Sequence, residues 1–382
     1  MSEWFLILLL PVAAWSGWYV ALRRESKDAR LLQSRNAYFE SLTYLLNDQT
    51  DQAVDAFLNF SAIDKQTFSN QLALGTLFRK RGELDRALLI HKQLGKIPEL
   101  EEKQRNTVNF ELAEDFLAAG MYLQAQDIFE NLISTNLEAN QKSQINQSLI
   151  RIYERTAQWQ KAIDLFSQNN QELGKLNLAH YYCEIAEIFR KNKELSAAKT
   201  ALSHAIVADG SLIRNYWIAA EIALENGEFI SSIHNYQSIA ERNAAFLPEI
   251  IQPMLACYQK IEREAEFFDW IFRQEEQHQN IRLTLALSDI LEQNSRSHEA
   301  QDLIFNRTKT SNNPLLLNKF LQYQSDLPQN ALIISLTKKI RPRTSYQCCE
   351  CGFLLQKMIW HCPACYAWSS FIPTLEIKVQ HR

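Results

Sequence analysis

The sequence predicts an all-α protein: a solenoid of antiparallel helix pairs, preceded by one membrane-spanning helix and followed by a small four-cysteine module. Three observations lead there. Glycine is scarce, at nine in 382 residues, helix formers are plentiful, and strand-like alternation is confined to the C-terminal segment. One pattern of small and aromatic residues recurs every 34 to 38 positions through the middle of the chain. Five of the seven cysteines crowd into YQCCECGFLLQKMIWHCPACYAW, residues 346 to 368.

The first element is the stretch WFLILLLPVAAWSGWYVAL, Trp4 to Leu22, which carries no charge. As a helix it would run about 28 Å, close to the hydrocarbon thickness of a bilayer. Trp15, Trp18 and Tyr19 fall near one end, where amphipathic rings favour the membrane interface. Arg23, Arg24, Lys27, Arg30 and Arg35 follow. Basic flanks stay on the cytoplasmic side, so the bulk of the chain is expected in the cytoplasm. A cleaved signal peptide would need positive charge before its apolar run, and Glu3 stands there instead. The expected segments are an anchor at 1–22, a basic juxtamembrane linker at 23–36, repeats at 37–340 and the metal module at 341–382.

The repeats are legible in LALGTLFRKRGELDRALLIHKQL from Leu72 and FELAEDFLAAGMYLQAQDIFENL from Phe110. Gly75, Phe78 and Ala87 form a trio in one copy, and Ala113, Phe116 and Ala125 repeat it. Weaker copies pair Tyr44 with Ala53, Tyr153 with Ala162 and Phe189 with Ala198; the pattern degenerates around Phe267 and Ala300. Small residues let two helices cross closely while aromatic and aliphatic residues fill the space around the crossing. One pair cannot cover its own apolar faces, so successive pairs stack and leave a groove lined by their first helices. The pattern resembles the tetratricopeptide repeat. Alanine and aromatic positions are therefore core. His91, His180, His204 and His234 read as packing or surface residues, and Cys183 and Cys257 as inert core thiols.

A formal net charge of -4 argues against nucleic-acid binding. Lys338, Lys339, Arg341 and Arg343, just before the module, read as a solvated face. No glycine-rich phosphate loop, G-x-S-x-G motif or catalytic carboxylate pair is visible, so a protein-binding solenoid rather than an enzyme is expected.

Pro342 in RPRTS is expected to stop the last helix and begin a short linker. Beyond it, Cys348-x2-Cys351 and Cys362-x2-Cys365 have the spacing of two metal knuckles. Gly352 suits the positive φ such a turn favours, and Pro363 pre-sets the second turn. Cys349 is one residue out of register and is left out of the site; His361 neighbours a ligand and is not needed. Four protein ligands close the coordination sphere, which argues for a structural clip over hydrolytic catalysis. The ligand set does not separate zinc from iron. Phe353, Trp360 and Trp368 are expected to anchor the module against the repeat helices.

Taken together, YQCCECGF and IWHCPACYAWSSFIP at the C-terminus, LLLPVAAWSGWY in the anchor and LGTLFRKRGELDRALLIH in the second repeat resemble the lipopolysaccharide assembly protein B family. The resemblance spans essentially the whole chain. It implies a rubredoxin-like module holding one iron ion (alternative: zinc) through Cys348, Cys351, Cys362 and Cys365. The spacing between the pairs is far shorter than in true rubredoxins, so their electron-transfer role does not carry over. The resemblance further implies a single-pass protein of the inner membrane that promotes proteolysis of the deacetylase LpxC by the membrane protease FtsH. It implies contact with lipopolysaccharide-synthesis or lipopolysaccharide-sensing membrane proteins; the alternative is a scaffold assembling synthesis enzymes without directing proteolysis.

Overall fold

The computed structural model describes residues 65–135, 137–168, 175–324 and 340–379, with Trp15 and Trp18. The expected anchor, the basic linker, the repeat around Tyr44 and Ala53, and the stretch 331–339 lie outside those residues, except that Trp15 and Trp18 are helical and exposed. Among the described residues, no helix is long and apolar enough to cross a membrane. Fifteen α-helices and one three-stranded sheet among the described residues fall into two compact units, Met1–Gln158 and Trp159–Arg382.

In the first unit, α1 (Lys65–Lys80) pairs with α2 (Leu84–Gly95) and α3 (Glu102–Ala118) with α4 (Tyr122–Ile133), followed by α5 (Ala139–Arg155). Phe78, Ala87, Ile90, Leu94 and Val108 form one buried cluster. Ala113, Ala125 and Phe129 are fully buried in the next pair, where Phe110 meets the Phe129 ring edge-on at 5.8 Å. The small residue of the trio has a concrete job here: Gly75 lies directly under the His91 ring. His91 in turn hydrogen-bonds the buried Asp115 carboxylate, which also receives Arg79 Nη1 at 2.8 Å.

The second unit holds α6 (Trp159–Gln168), α7 (Lys175–Lys191), α8 (Leu195–Ala208), α9 (Ile213–Glu225), α10 (Phe229–Arg242), α11 (Leu247–Lys260), α12 (Glu264–His278), α13 (Ile281–Gln293), α14 (Ser297–Thr310) and α15 (Pro314–Tyr323). Its largest core runs from Ala220 on α9 through Ile250, Met254, Phe267 and Leu287 to Ala300 on α14. Phe267 and Ala300, where the pattern looked degenerate, are therefore ordinary core positions. Within this unit α7 packs on α9, and α11 on α13, more closely than the second helices α8, α10, α12 and α14 pack on one another. The first helices thus form the inner face.

A shared backbone device ends these first helices. Gly82, Gly120, Ala157, Lys193, Gly227, Glu262 and Ser295 all have positive φ. In each case the next N–H reaches back to the carbonyl five residues earlier, as in Glu83 to Phe78 at 2.9 Å and Arg296 to Leu291 at 2.8 Å. This is the Schellman closure, which satisfies carbonyls that the helix end leaves open.

The module is an antiparallel sheet in the order β2–β1–β3, with β1 Ile340–Cys348, β2 Leu354–Leu355 and β3 Phe371–Val379. RPRTS is consequently strand rather than linker. Pro342 pairs with Ile377 and Pro373 with Tyr346 in the β1–β3 register. Cys349 N–H donates to Ser370 O at 2.8 Å and Cys348 N–H to Phe353 O at 2.9 Å, which fixes the hydrogen-bonding parity along the ladder. By that parity both prolines fall where an N–H would point out of the sheet, so neither removes a ladder bond and each blunts an open edge.

Candidate metal centre

The first knuckle grows out of β1. Gly352 N–H donates to Cys348 O at 2.9 Å, and Gly352 has φ +77°. The second knuckle repeats this geometry: Tyr366 N–H donates to Cys362 O at 2.9 Å, Cys362 N–H to Ala367 O at 2.9 Å, and Tyr366 has φ +62°. Tyr366 is thus the positional equivalent of Gly352, a role its residue type did not announce.

These two turns bring together the four sulfurs expected from the spacing. Cys348 and Cys365 sulfurs are 3.6 Å apart, Cys351 and Cys362 sulfurs 3.7 Å, and all four lie within 4.8 Å of one another. Thiolates about 2.3 Å from a tetrahedral ion are separated by about 3.8 Å, so the cluster fits one such ion. Cys348 and Cys362 are buried while Cys351 and Cys365 face outward. Burial opposes ionisation of Cys348, but the Ser370 hydroxyl and the backbone N–H groups of Cys351 and Glu350 outweigh it and draw the thiol down to about 6. At Cys365 the Ala367 N–H favours the thiolate, yet burial and the other three thiols hold it up at about 12. Thiolates held this close repel one another, and a bound cation would relieve that repulsion.

Strand alternation accounts for Cys349. Its backbone continues the ladder, but its side chain is exposed and lies outside the four-sulfur group. His361 is occupied elsewhere: its ring stacks on Trp368 at 4.2 Å and its Nε2 lies 3.1 Å from Tyr366 O.

The module's own buried cluster is small, being Tyr346, Cys348, Cys362 and Phe371 with Leu355, Met358 and Ile359 against it. The repeat helices of the same unit supply the rest. Trp368 lies between His361 and His180, the latter stacked at 4.6 Å, with Trp159 and Tyr181 at 6.0 and 6.1 Å edge-on. Ser369 Oγ and His180 Nε2 share a hydrogen bond of 3.0 Å. Trp360 meets Trp217 and Phe246, and the Arg214 guanidinium sits over both module tryptophans at 5.8 and 6.0 Å. Tyr346 donates to Glu249 Oε1 at 2.9 Å, and that carboxylate is also paired with Arg282. Two of the three expected anchors are therefore in place, whereas Phe353 is 41% exposed and anchors nothing. Burial, then the charge of Arg214, hold the His180 imidazole down at about 3, so it docks as a neutral ring.

Of the other singled-out residues, Cys183 and Cys257 are buried in the core, whereas His204 and His234 are exposed. Burial pushes the Cys183 thiol up to about 12 and raises Cys257 as well. His204 stacks on Tyr182 at 5.2 Å.

A family model described as "Rubredoxin metal binding domain" matches residues 346–373, which contain both knuckles. Among solved structures, a tetratricopeptide repeat protein from Parabacteroides merdae is 11% identical over 67% of this chain and 98% of that one, at a TM-score of 0.35, too low to add to the helix pairing already described. Two curated relatives match nearly end to end. Lipopolysaccharide assembly protein B of Haemophilus influenzae is 28% identical, and that of Escherichia coli K12 is 31% identical; each match covers 96% of this chain and 97% of the relative. With that identity along almost its whole length, the chain belongs to the lipopolysaccharide assembly protein B family.

Proposed function

We propose that this protein is a non-enzymatic adaptor in lipopolysaccharide assembly, anchored by residues 1–22 in the inner membrane with its repeats in the cytoplasm. Its role is to present the lipid A pathway deacetylase LpxC to the membrane protease FtsH for degradation, under the control of lipopolysaccharide-synthesis or lipopolysaccharide-sensing membrane proteins. The observation that carries this reading is family membership over 96% of the chain. Helix pairs with an inner face of first helices suit the holding of a soluble client, and a membrane tether raises the client's effective concentration near a membrane protease without new contacts. One metal ion on Cys348, Cys351, Cys362 and Cys365, iron in preference to zinc, is the structural clip of the C-terminal module.

The deciding measurement is the half-life of the deacetylase after depletion of this protein. A lengthened half-life supports the adaptor. An unchanged one overturns it and leaves the scaffold, in which the same surfaces gather synthesis enzymes without directing proteolysis.

A further inference from the structure

In a stack of helix pairs the inner face of the first helices is the surface open to a ligand, and in the second unit the chain's own module lies on it. His180 on α7, Arg214 and Trp217 on α9, Glu249 on α11 and Arg282 on α13 all face Trp360, Trp368, Ser369 or Tyr346. Tryptophan, tyrosine and arginine are the residues that dominate the centres of interfaces between separate proteins. The polar pairing at this junction is incomplete, however. His180 Nδ1, Arg214 Nε and Nη1, Glu249 Oε2 and Arg282 Nη1 are buried without a hydrogen-bond partner, five of seven such side-chain atoms among the described residues. Arg214 is only 3% exposed, so water outside the protein does not serve it. A buried donor left unpaired costs about 1 to 3 kcal/mol, which a ligand that pairs it would recover.

We propose that this face is a binding groove for an extended segment carrying aromatic and carboxylate side chains, and that the metal-loaded module is an intramolecular occupant such a segment must displace. The aromatic ring takes the place of Trp368 between His180, Trp159 and Tyr181. The carboxylates pair with the guanidinium N–H groups of Arg214 and Arg282 that the module leaves unused. Because two of the four buried residues in the module's cluster are cysteines of the metal group, the occupant keeps its shape only while the metal is held. The metal thereby sets how accessible the groove is.

The test uses the full chain and a fluorescein-labelled synthetic peptide, Trp-Asp-Glu-Trp-Asp-Glu, followed by fluorescence anisotropy. Three samples are compared: the metal-loaded parent, the parent after chelation, and Trp360→Ala/Trp368→Ala, which keeps all four cysteines. The peptide is expected to bind the last two at least about tenfold more tightly, and Arg214→Gln in the double variant should cancel the gain. Equal affinity in all three samples, a gain that survives Arg214→Gln, or equal binding of the amide peptide Trp-Asn-Gln-Trp-Asn-Gln overturns the proposal. If circular dichroism shows that the double variant has lost its helices, Tyr346→Phe/Ser369→Ala replaces it. That pair removes only two hydroxyl contacts and should give a gain of about threefold to tenfold; no gain there counts equally against the proposal. Metal content is measured on the same samples. A parent without metal defeats the metal reading alone, since the variants still decide the groove.

Discussion

Gly75 shows how much one hydrogen can matter in a helix crossing. A β-carbon there would lie 2.4 Å from His91 Nε2, and the ring has no room to retreat because it is fully buried against Asp115. Gly75→Ala should lower stability by about 1 to 3 kcal/mol, as overpacking does, read as a shift of the urea midpoint without change in slope. His180 makes a pH prediction. Its folded pKa of about 3 lies below the ordinary value of 6.5, so the unfolded or undocked ring binds the proton more readily. The contribution of this residue is complete above pH 6.5 and is lost as pH falls towards 3. His180→Gln should therefore flatten the acid limb of a stability-against-pH curve, measured with metal content followed in parallel; identical limbs would refute the assignment. At this scale the sequence was informative where chemistry is local. Cys348, Cys351, Cys362 and Cys365 were readable because each knuckle needs only two intervening residues. Tyr366 was not, since nothing in its type signals a left-handed turn, and Arg214, Glu249 and Arg282 were not, since their partners lie tens of residues or more away.

The helix pair is the repeating element, and its most regular part is the turn rather than the packing. Seven first helices end in the same left-handed residue and backbone closure, yet only Gly82, Gly120 and Gly227 are glycines there. Ala157, Lys193, Glu262 and Ser295 adopt the same conformation against a steric penalty. Glu262→Gly and Ser295→Gly should each raise stability by up to about 1 kcal/mol, and Gly120→Ala should lower it by a similar amount, seen as opposite shifts in Tm. Gly120 isolates the backbone term because nothing stands within 4 Å of a β-carbon placed there. This also explains why the repeats were easy to see early in the chain and hard to see late. The sequence pattern rests on side chains such as Phe78 with Ala87, while the turn is a backbone motif that tolerates Glu262 and Ser295 and leaves no fixed letter. The strand run at Ile340–Cys348 was misread for a related reason: Pro342 signals a break in a helix, and only the register reveals that an open strand edge accommodates it.

At the scale of the molecule, the module is a small sheet whose core is shared with the helices it rests on. Replacing Cys362 and Cys365 by serine should abolish metal binding, which is otherwise expected at one ion per chain by elemental analysis. It should open residues 340–379 to protease while leaving most of the helical circular dichroism, because α6 to α15 carry their own buried clusters. Loss of the helical signal instead would mean that the module supports the stack as a whole. That the four paired cysteines come together in one small module was legible from their spacing; where the module rests was not, because Ser369 reaches back 189 residues to His180 and Tyr346 reaches back 97 to Glu249. Those same separations set an order of assembly. Each helix pair closes on neighbours made moments earlier, but the face carrying His180, Arg214 and Glu249 is complete long before Tyr346 or Trp368 has been synthesised. At about 5 to 20 residues per second, the ribosome needs several seconds to travel from Arg282 to Phe371. During that interval the nascent chain displays the inner face uncovered, and a cell that supplied a competing segment then would meet no resident occupant to displace.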